Sequence, residues 1–311
     1  MDQYDQDTLL QAHYATLSAF WESALEHTGY CAIVLSAGQQ RFFFHDDQGP
    51  AFRPNPLLVQ WLAQEKISEN SWFVFSQGAK PTLLFHQPDD FWHAAAVAPH
   101  QLKDHLTLKV FSDLPALHVA LDNHLKQIRE SQQEIAQISE DAPPAAAGCV
   151  INPANVIHAL HFQRACKTEY ELAIMRDASL RGAKGHKAAQ RAFSEGASEF
   201  AIHLAFLEAT GMNEWRLPYN NIIAQNQHAS LLHYQYQDRE VGEHLNSLLI
   251  DAGANVDGYA SDITRTYIGP RCYSQEAADL FSELLARMQT HQDALIAVSY
   301  THLTLPTNRC V

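Results

Sequence analysis

Residues 248–267 constrain this chain more than any other stretch, because they read as two strands closed by a turn with an aspartate on each. Leu248-Leu249-Ile250-Asp251-Ala252-Gly253 is an apolar run ending in small residues, and Tyr259 to Tyr267, with Asp262 inside it, is a second β-prone run. Between them Asn255-Val256-Asp257-Gly258 has turn-forming residues at both ends. A turn centred between Val256 and Asp257 sets Asp251 directly opposite Asp262. Opposed residues of an antiparallel pair have Cβ atoms about 5 Å apart on one face. Two ionised carboxylates at that distance repel by roughly 3 kcal/mol at an effective dielectric of about 20. A shared proton or a divalent cation would offset this, and Leu249 and Ile250 beside Asp251 favour the cation by making the position partly buried. Spacing alone leaves another reading open, in which Asp251 closes a turn and Asp262 is a solvated strand residue. A one-residue slip would send the carboxylates to opposite faces.

The rest of the composition narrows the setting. The 311 residues are 46% hydrophobic, enough for a core and for two domains. Lys and Arg (21) are outnumbered by Asp and Glu (35), and they are scattered singly, which argues against a nucleic-acid partner. The N-terminus, Met1-Asp2-Gln3-Tyr4-Asp5, is acidic where a secretory signal is basic, and no run matches the length of a membrane span, so a cytoplasmic location is expected. Cys31, Cys149, Cys166, Cys272 and Cys310 are far apart and odd in number, the pattern of buried reduced thiols.

Apolar spacing from Leu9 to Leu25 predicts a helix stopping at Gly29, and Pro115 to Glu130 predicts another. Short runs at Ala32–Leu35, Arg41–Phe44, Trp72–Phe75, Thr82–His86 and Leu106–Phe111 predict strands, and thus an α/β N-terminal domain. The polar stretch from Ser131, closing on Asp141-Ala142-Pro143-Pro144-Ala145-Ala146-Ala147-Gly148, places the domain boundary at 148. Beyond it Thr168 and Glu171 form a capping box for a helix to Glu195. Ser198 caps a second helix that Gly211 ends. Asn221–Ala224, Leu231–Tyr236 and Leu248–Asp251 read as strands, and Gln275–Val298 as a helix with Leu280, Phe281, Leu284, Leu285 and Met288 on one side. Helices followed by antiparallel strands make the second domain α+β. Gly182-Ala183-Lys184-Gly185 lacks the P-loop pattern and reads as helix surface, and His158 and His161 as ordinary packing residues.

The hairpin residues Leu249-Ile250-Asp251-Ala252-Gly253-Ala254 and Gly258-Tyr259-Ala260-Ser261-Asp262-Ile263-Thr264-Arg265-Thr266 resemble the first metal-binding hairpin of the pita-bread metallopeptidases, most closely the bacterial Xaa-Pro dipeptidases. The likeness extends through Thr168–Leu172, Gly185–Ala189, Leu217–Ile222 and Leu232-His233-Tyr234, and reaches Phe44–Asp47 and Asn55-Pro56. It implies a binuclear site, usually manganese, in which Asp251 binds one ion and Asp262 bridges both, and cleavage of the Xaa-Pro bond of dipeptides. It further implies a substrate-side role for His233, substrate-pocket positions for Tyr219 and Leu232, and a homodimer in which Asp47 reaches the neighbouring subunit's substrate.

The resemblance also sets what is missing. The family's further ligands, one histidine and two glutamates, come from strands well beyond the hairpin. Glu276 and Glu283 read as the solvated face of a helix, and His291 and His302 lie too early to match. The expected organisation is therefore an N-terminal α/β domain (1–148), the first half of a pita-bread domain (149–298) and an aberrant tail (299–311), with little activity in this chain alone. Two alternatives remain: an aminopeptidase P-type exopeptidase, and a non-catalytic pita-bread module that binds peptides.

Overall fold

The computed structural model describes residues 3–303 other than 64, 65, 92, 93, 95, 130–132, 141, 142 and 144, and it divides into compact units at residues 1–172 and 173–311. In the first unit, α1 (Gln3–Thr28) ends where Gly29 takes a φ of +81°, the stop its sequence predicts. The strands β1 (Ala32–Ser36), β2 (Trp72–Ser76), β3 (Thr82–His86), β4 (Thr107–Phe111), β5 (Ile135–Ile138) and β6 (Cys149–Ile151) make one sheet in the order β4-β3-β2-β1-β5-β6. The pairings β1–β2 and β2–β3 are antiparallel, and the other three are parallel. Strand alternation sends Ile33, Leu35, Phe73, Phe75 and Phe85 to one face, where Trp21 of α1 and Trp61, just past the short helix α2 (Pro56–Val59), pack. Ala32, Val34, Val74 and Leu84 face the other way onto Leu117, Leu121 and Leu125 of α3 (Leu114–Ile128). Both faces are covered, which is why the inner strands read as unbroken apolar runs.

Several expectations fail in this unit. Arg41–Phe44 forms no strand: Phe42, Phe43 and Phe44 are exposed, and the Phe43 N–H turns back on Gln48 O at 2.8 Å within the same loop. The stretch expected as a linker contains β5, which sits in the sheet between β1 and β6. Four residues, Ile-Ala-Gln-Ile, give too short an apolar signal to stand out from a polar background. With β6 and α4 (Ala154–Ala165) also in this unit, and Val156 and Leu160 in its core, the boundary moves from 148 to 172. His158 and His161, expected as packing residues, lie on the exposed side of α4. Among the described residues the cysteines form no disulfide, but none is buried as expected: Cys31, Cys149 and Cys272 are half-buried and Cys166 is exposed; Cys310 lies outside the described residues.

The capping box at the start of α5 (Glu169–Ser194) is present: the Thr168 N–H donates to Glu171 Oε2 at 2.8 Å and the Glu171 N–H to Thr168 Oγ1 at 3.3 Å. In the second unit α6 (Glu199–Thr210) starts on the Ser198 cap and ends at Gly211, φ +66°, as its sequence predicts. The strands β7 (Ile222–Gln225), β8 (Leu245–Ala252) and β11 (Ile263–Arg271) form an antiparallel sheet in the order β11-β8-β7, with a two-residue ribbon of β9 (Asn255–Val256) and β10 (Tyr259–Ala260) at the hairpin tip. Phe193, Ile202 and Phe206 pack on Leu248 and Ile250.

Gly182 and Gly185 are not helix surface. A Cβ on Gly182 would stand 2.6 Å from Ser261 Oγ and one on Gly185 would stand 2.5 Å from the Phe206 ring, so these glycines let α5 lie close to the hairpin and to α6. Leu231–Tyr236 is not a strand either, and belongs to the irregular segment after β7. The last helix, α7 (Gln275–Leu303), leaves Leu280, Leu284 and Met288 of its apolar stripe exposed, with Glu276 and Glu283 exposed as expected. Of the expected tail, 299–303 continues this helix, and 304–311 lies outside the described residues.

Candidate metal centre

The hairpin forms, but its register differs from the expected one. Asp251 pairs with Thr264, and the pairing continues through Val256 and Tyr259 to a tight turn at Asp257-Gly258, both with positive φ (+50° and +91°). This is the two-residue turn whose twist suits a hairpin. The Gly258 N–H donates to Asn255 Oδ1 at 2.9 Å and holds it. The turn centre therefore lies one residue further on than expected, and every pairing shifts by two. A shift of two preserves the face where a shift of one would reverse it. Asp262 is consequently the diagonal neighbour of Asp251 instead of its opposite.

The two carboxylates meet at a third residue. The Tyr219 hydroxyl, just ahead of β7, lies 2.8 Å from Asp251 Oδ1 and 3.1 Å from Asp262 Oδ1. A phenol has one proton and can donate it to only one of them at a time. Burial, then the hydrogen bond to Asp251, pushes the Tyr219 hydroxyl well above its usual range, so it stays a donor. Among the described residues neither aspartate has another hydrogen-bond donor. Two negative charges with one proton between them, and most of their lone pairs open, are the oxygen donor set a hard divalent ion takes. No third His, Cys, Asp or Glu among the described residues joins them at ligand distance.

Backbone closeness shapes the centre. A Cβ on Gly253 would stand 1.9 Å from the Ser261 carbonyl oxygen, so only glycine fits between the aspartate-bearing strands. The Ser261 side chain accepts from the Ala254 N–H at 3.0 Å, and the Ser261 N–H donates to Ala254 O at 2.9 Å. Behind them His186 of α5 lies 3.0 Å from the Ala252 carbonyl through Nε2; its Nδ1 is buried without a partner, and burial lowers its pKa. Sequence reasoning missed His186, Ser261 and Gly253 as parts of the centre. Gly253 was legible, since a glycine inside a strand pattern signals a close backbone approach.

Asp251, Asp262 and Tyr219 are thus brought together. His233 and Leu232 lie on the exposed segment after β7, Leu232 at 84% exposure, and His233 makes no hydrogen bond among the described residues. Asp47 belongs to an exposed loop of the first unit, with its Oδ1 3.5 Å from the Gln48 side-chain nitrogen. A second cluster also holds ligand types: Glu199, His228 and Asp238 have side-chain ligand atoms within 4.8 Å of one another.

Residues 173–302 match the metallopeptidase family M24, and residues 8–162 match the N-terminal domain of Xaa-Pro dipeptidase. The second unit thus matches the M24 metallopeptidases, and the first the N-terminal domain of Xaa-Pro dipeptidase. An Xaa-Pro dipeptidase of Stenotrophomonas maltophilia (strain R551-3) is 37% identical to it over 307 residues, 96% of this chain and 64% of that relative. One from Xanthomonas campestris pv. campestris (strain B100) is 38% identical over 292 residues, covering 92% and 61%. The chain spans less than two thirds of these relatives' length. Among solved structures, Pseudomonas aeruginosa aminopeptidase PepP superposes with a TM-score of 0.63 at 18% identity, covering 89% of this chain and 64% of that one. A histidine-to-alanine variant of Escherichia coli aminopeptidase P gives 0.64 at 16%, covering 88% and 66%. At such identities they establish the shared fold, an N-terminal domain followed by an M24 pita-bread domain. Among the described residues no helix is long and apolar enough to cross a membrane.

Proposed function

We propose that this chain carries the first metal ligands and the substrate-side histidine of a manganese-dependent Xaa-Pro dipeptidase that works in the cytoplasm as a homodimer. The observation that carries the reading is the pair Asp251 and Asp262 drawn around the single Tyr219 proton. Identity of 37% with Xaa-Pro dipeptidases supports the substrate class. Asp251 and Asp262 would together hold the divalent ions. A bound divalent ion supplies Lewis-acid polarisation of the scissile carbonyl and stabilises negative charge developing on it. His233, exposed and unengaged, hydrogen-bonds the bound dipeptide, Tyr219 and Leu232 line its pocket, and Asp47 of a second copy approaches its amino end. A tertiary amide before proline offers no N–H, so recognition falls on these flanking groups.

Cleavage of Gly-Pro and Leu-Pro with added manganese tests the reading. The 311-residue chain is expected to turn over little, since two aspartates are too few ligands for two ions. A chimera completed with the remaining residues of the Stenotrophomonas relative is expected to cleave both dipeptides and to stop on chelation. Failure of the folded chimera to cleave either would refute the dipeptidase reading, and robust turnover by the 311 residues would refute the ligand-count argument. Cleavage of a tripeptide with proline second, in preference to the dipeptides, would favour the aminopeptidase P-type reading that the solved structures' names suggest.

A further inference from the structure

The second unit buries a carboxylate outside the metal centre. Glu199, the first residue of α6, is 1% exposed. Its Oε1 accepts from the Gln225 N–H at 2.7 Å and lies 2.8 Å from His228 Nδ1. Its Oε2 accepts from the Tyr234 hydroxyl at 2.7 Å and the Asp238 N–H at 2.8 Å. All four partners come from one stretch, residues 225–238, whose only regular element beyond the end of β7 is a 3-10 turn at Asn226–Ser230. The same end of α6 grips the far end of that stretch twice more: the Phe200 N–H donates to Asp238 O at 3.1 Å, and the Arg239 guanidinium sits 4.4 Å from the Phe200 ring centre.

A buried carboxylate is tolerated where donors fill its lone pairs. Here each oxygen has two partners, so no lone pair is left for a cation, although Glu199, His228 and Asp238 have the ligand types for one. The network acts on the loop instead. Tyr234 is drawn under, 4% exposed, with its ring stacked on His228 at 4.5 Å. Leu232 and His233, just before it in the chain, are left outside. The loop is largely polar and buries only Tyr234 beside Ile222 and Ala224, so apolar packing alone gives it little to hold its shape.

We propose that Glu199 is a positioning residue: by gathering Gln225, His228, Tyr234 and Asp238 onto one buried carboxylate it fixes the loop that presents His233 and Leu232. The functional consequence rests on the substrate-side reading of those two residues; the anchoring does not.

Hydrogen exchange by mass spectrometry on the 311-residue chain tests the anchoring. In Glu199→Gln, amides 226–238 are expected to exchange about tenfold faster or more, while β8 and α5 keep their protection. Tyr234→Phe, which removes one donor and keeps the ring, is expected to show the same selective change at smaller size, and it carries the test if Glu199→Gln does not fold. Thr210→Val, at the opposite end of α6, is expected to leave 226–238 protected. Unchanged exchange in 226–238, or a uniform rise across the second unit in Glu199→Gln and Thr210→Val alike, would overturn the proposal. So would manganese-induced stabilisation that survives Asp251→Asn but vanishes in His228→Ala, because it would make the cluster a metal site. In the completed chimera, Glu199→Gln is expected to raise the KM for Leu-Pro several-fold more than it lowers kcat. Selective loop exchange with KM unchanged would uphold the anchoring and refute the substrate-side reading of His233.

Discussion

Tyr219 and Tyr234 each direct a hydroxyl at carboxylate in the second unit, yet the two centres they serve are opposites. Tyr219 offers one proton to two aspartates that have no other donor among the described residues. Tyr234 is one of four partners on a single glutamate. Counting donors against lone pairs separates a carboxylate that is finished from a pair that still needs something positive. Residue type alone does not, because the finished centre, with its histidine and second acid, has the more varied ligand set. Burial runs the same way: Glu199 is sealed, whereas Asp251 is half-buried and Asp262 is exposed.

The comparison breaks most sharply on removing charge. Glu199→Gln places an amide N–H against donors that need an acceptor, and is expected to destabilise the second unit by about 3 kcal/mol. Asp251→Asn or Asp262→Asn relieves a repulsion and is expected to leave stability unchanged or slightly higher. Urea unfolding followed by hydrogen exchange in the second unit reads both, and equal losses at the two centres would erase the distinction. Next in size is the ion itself. Manganese at a hundred times its Kd is expected to stabilise the wild-type chain by about 2.7 kcal/mol. Chelator should reverse the gain, either aspartate variant should abolish it, and folded Glu199→Gln should retain it.

A third substitution sharpens the contrast without touching a charge. Gly253→Ala sets a methyl group on the Ser261 carbonyl, backbone against backbone, so the strands must part. A cost of about 2 kcal/mol is expected, together with a weaker response to manganese measured by calorimetry. An unaltered manganese affinity would show that the spacing of the aspartates is looser than the hairpin implies.

How much of this was legible depends on the range of the interaction. The capping box of Thr168 and Glu171 and the stops at Gly29 and Gly211 are local, and the sequence stated them outright. The aspartate pair was legible as a shared face, since that needs only the parity of the register, but not as the observed diagonal. Parity could not tell a turn at Val256-Asp257 from one at Asp257-Gly258, although an Asp-Gly pair was the stronger hairpin signal. The strand β5 was lost because its pattern is four residues long, and with it went the boundary. Glu199 was read only as the start of a helix: its partners lie 26 to 39 residues away, and nothing local announces them.

The smallest effects compare the two tyrosines directly. Tyr219→Phe removes the one donor that the described residues place between Asp251 and Asp262, and without metal is expected to cost about 1 kcal/mol. With manganese bound the ion takes over neutralising both carboxylates, so the penalty should shrink. Tyr234→Phe takes one of four partners from Glu199 and should cost a similar amount, the same with or without manganese, because no ion reaches that carboxylate. Thermal melts of the two variants with and without manganese give the four numbers needed. An ion-dependent penalty at Tyr234, or an ion-independent one at Tyr219, would mean that the donor count has assigned the two centres the wrong way round.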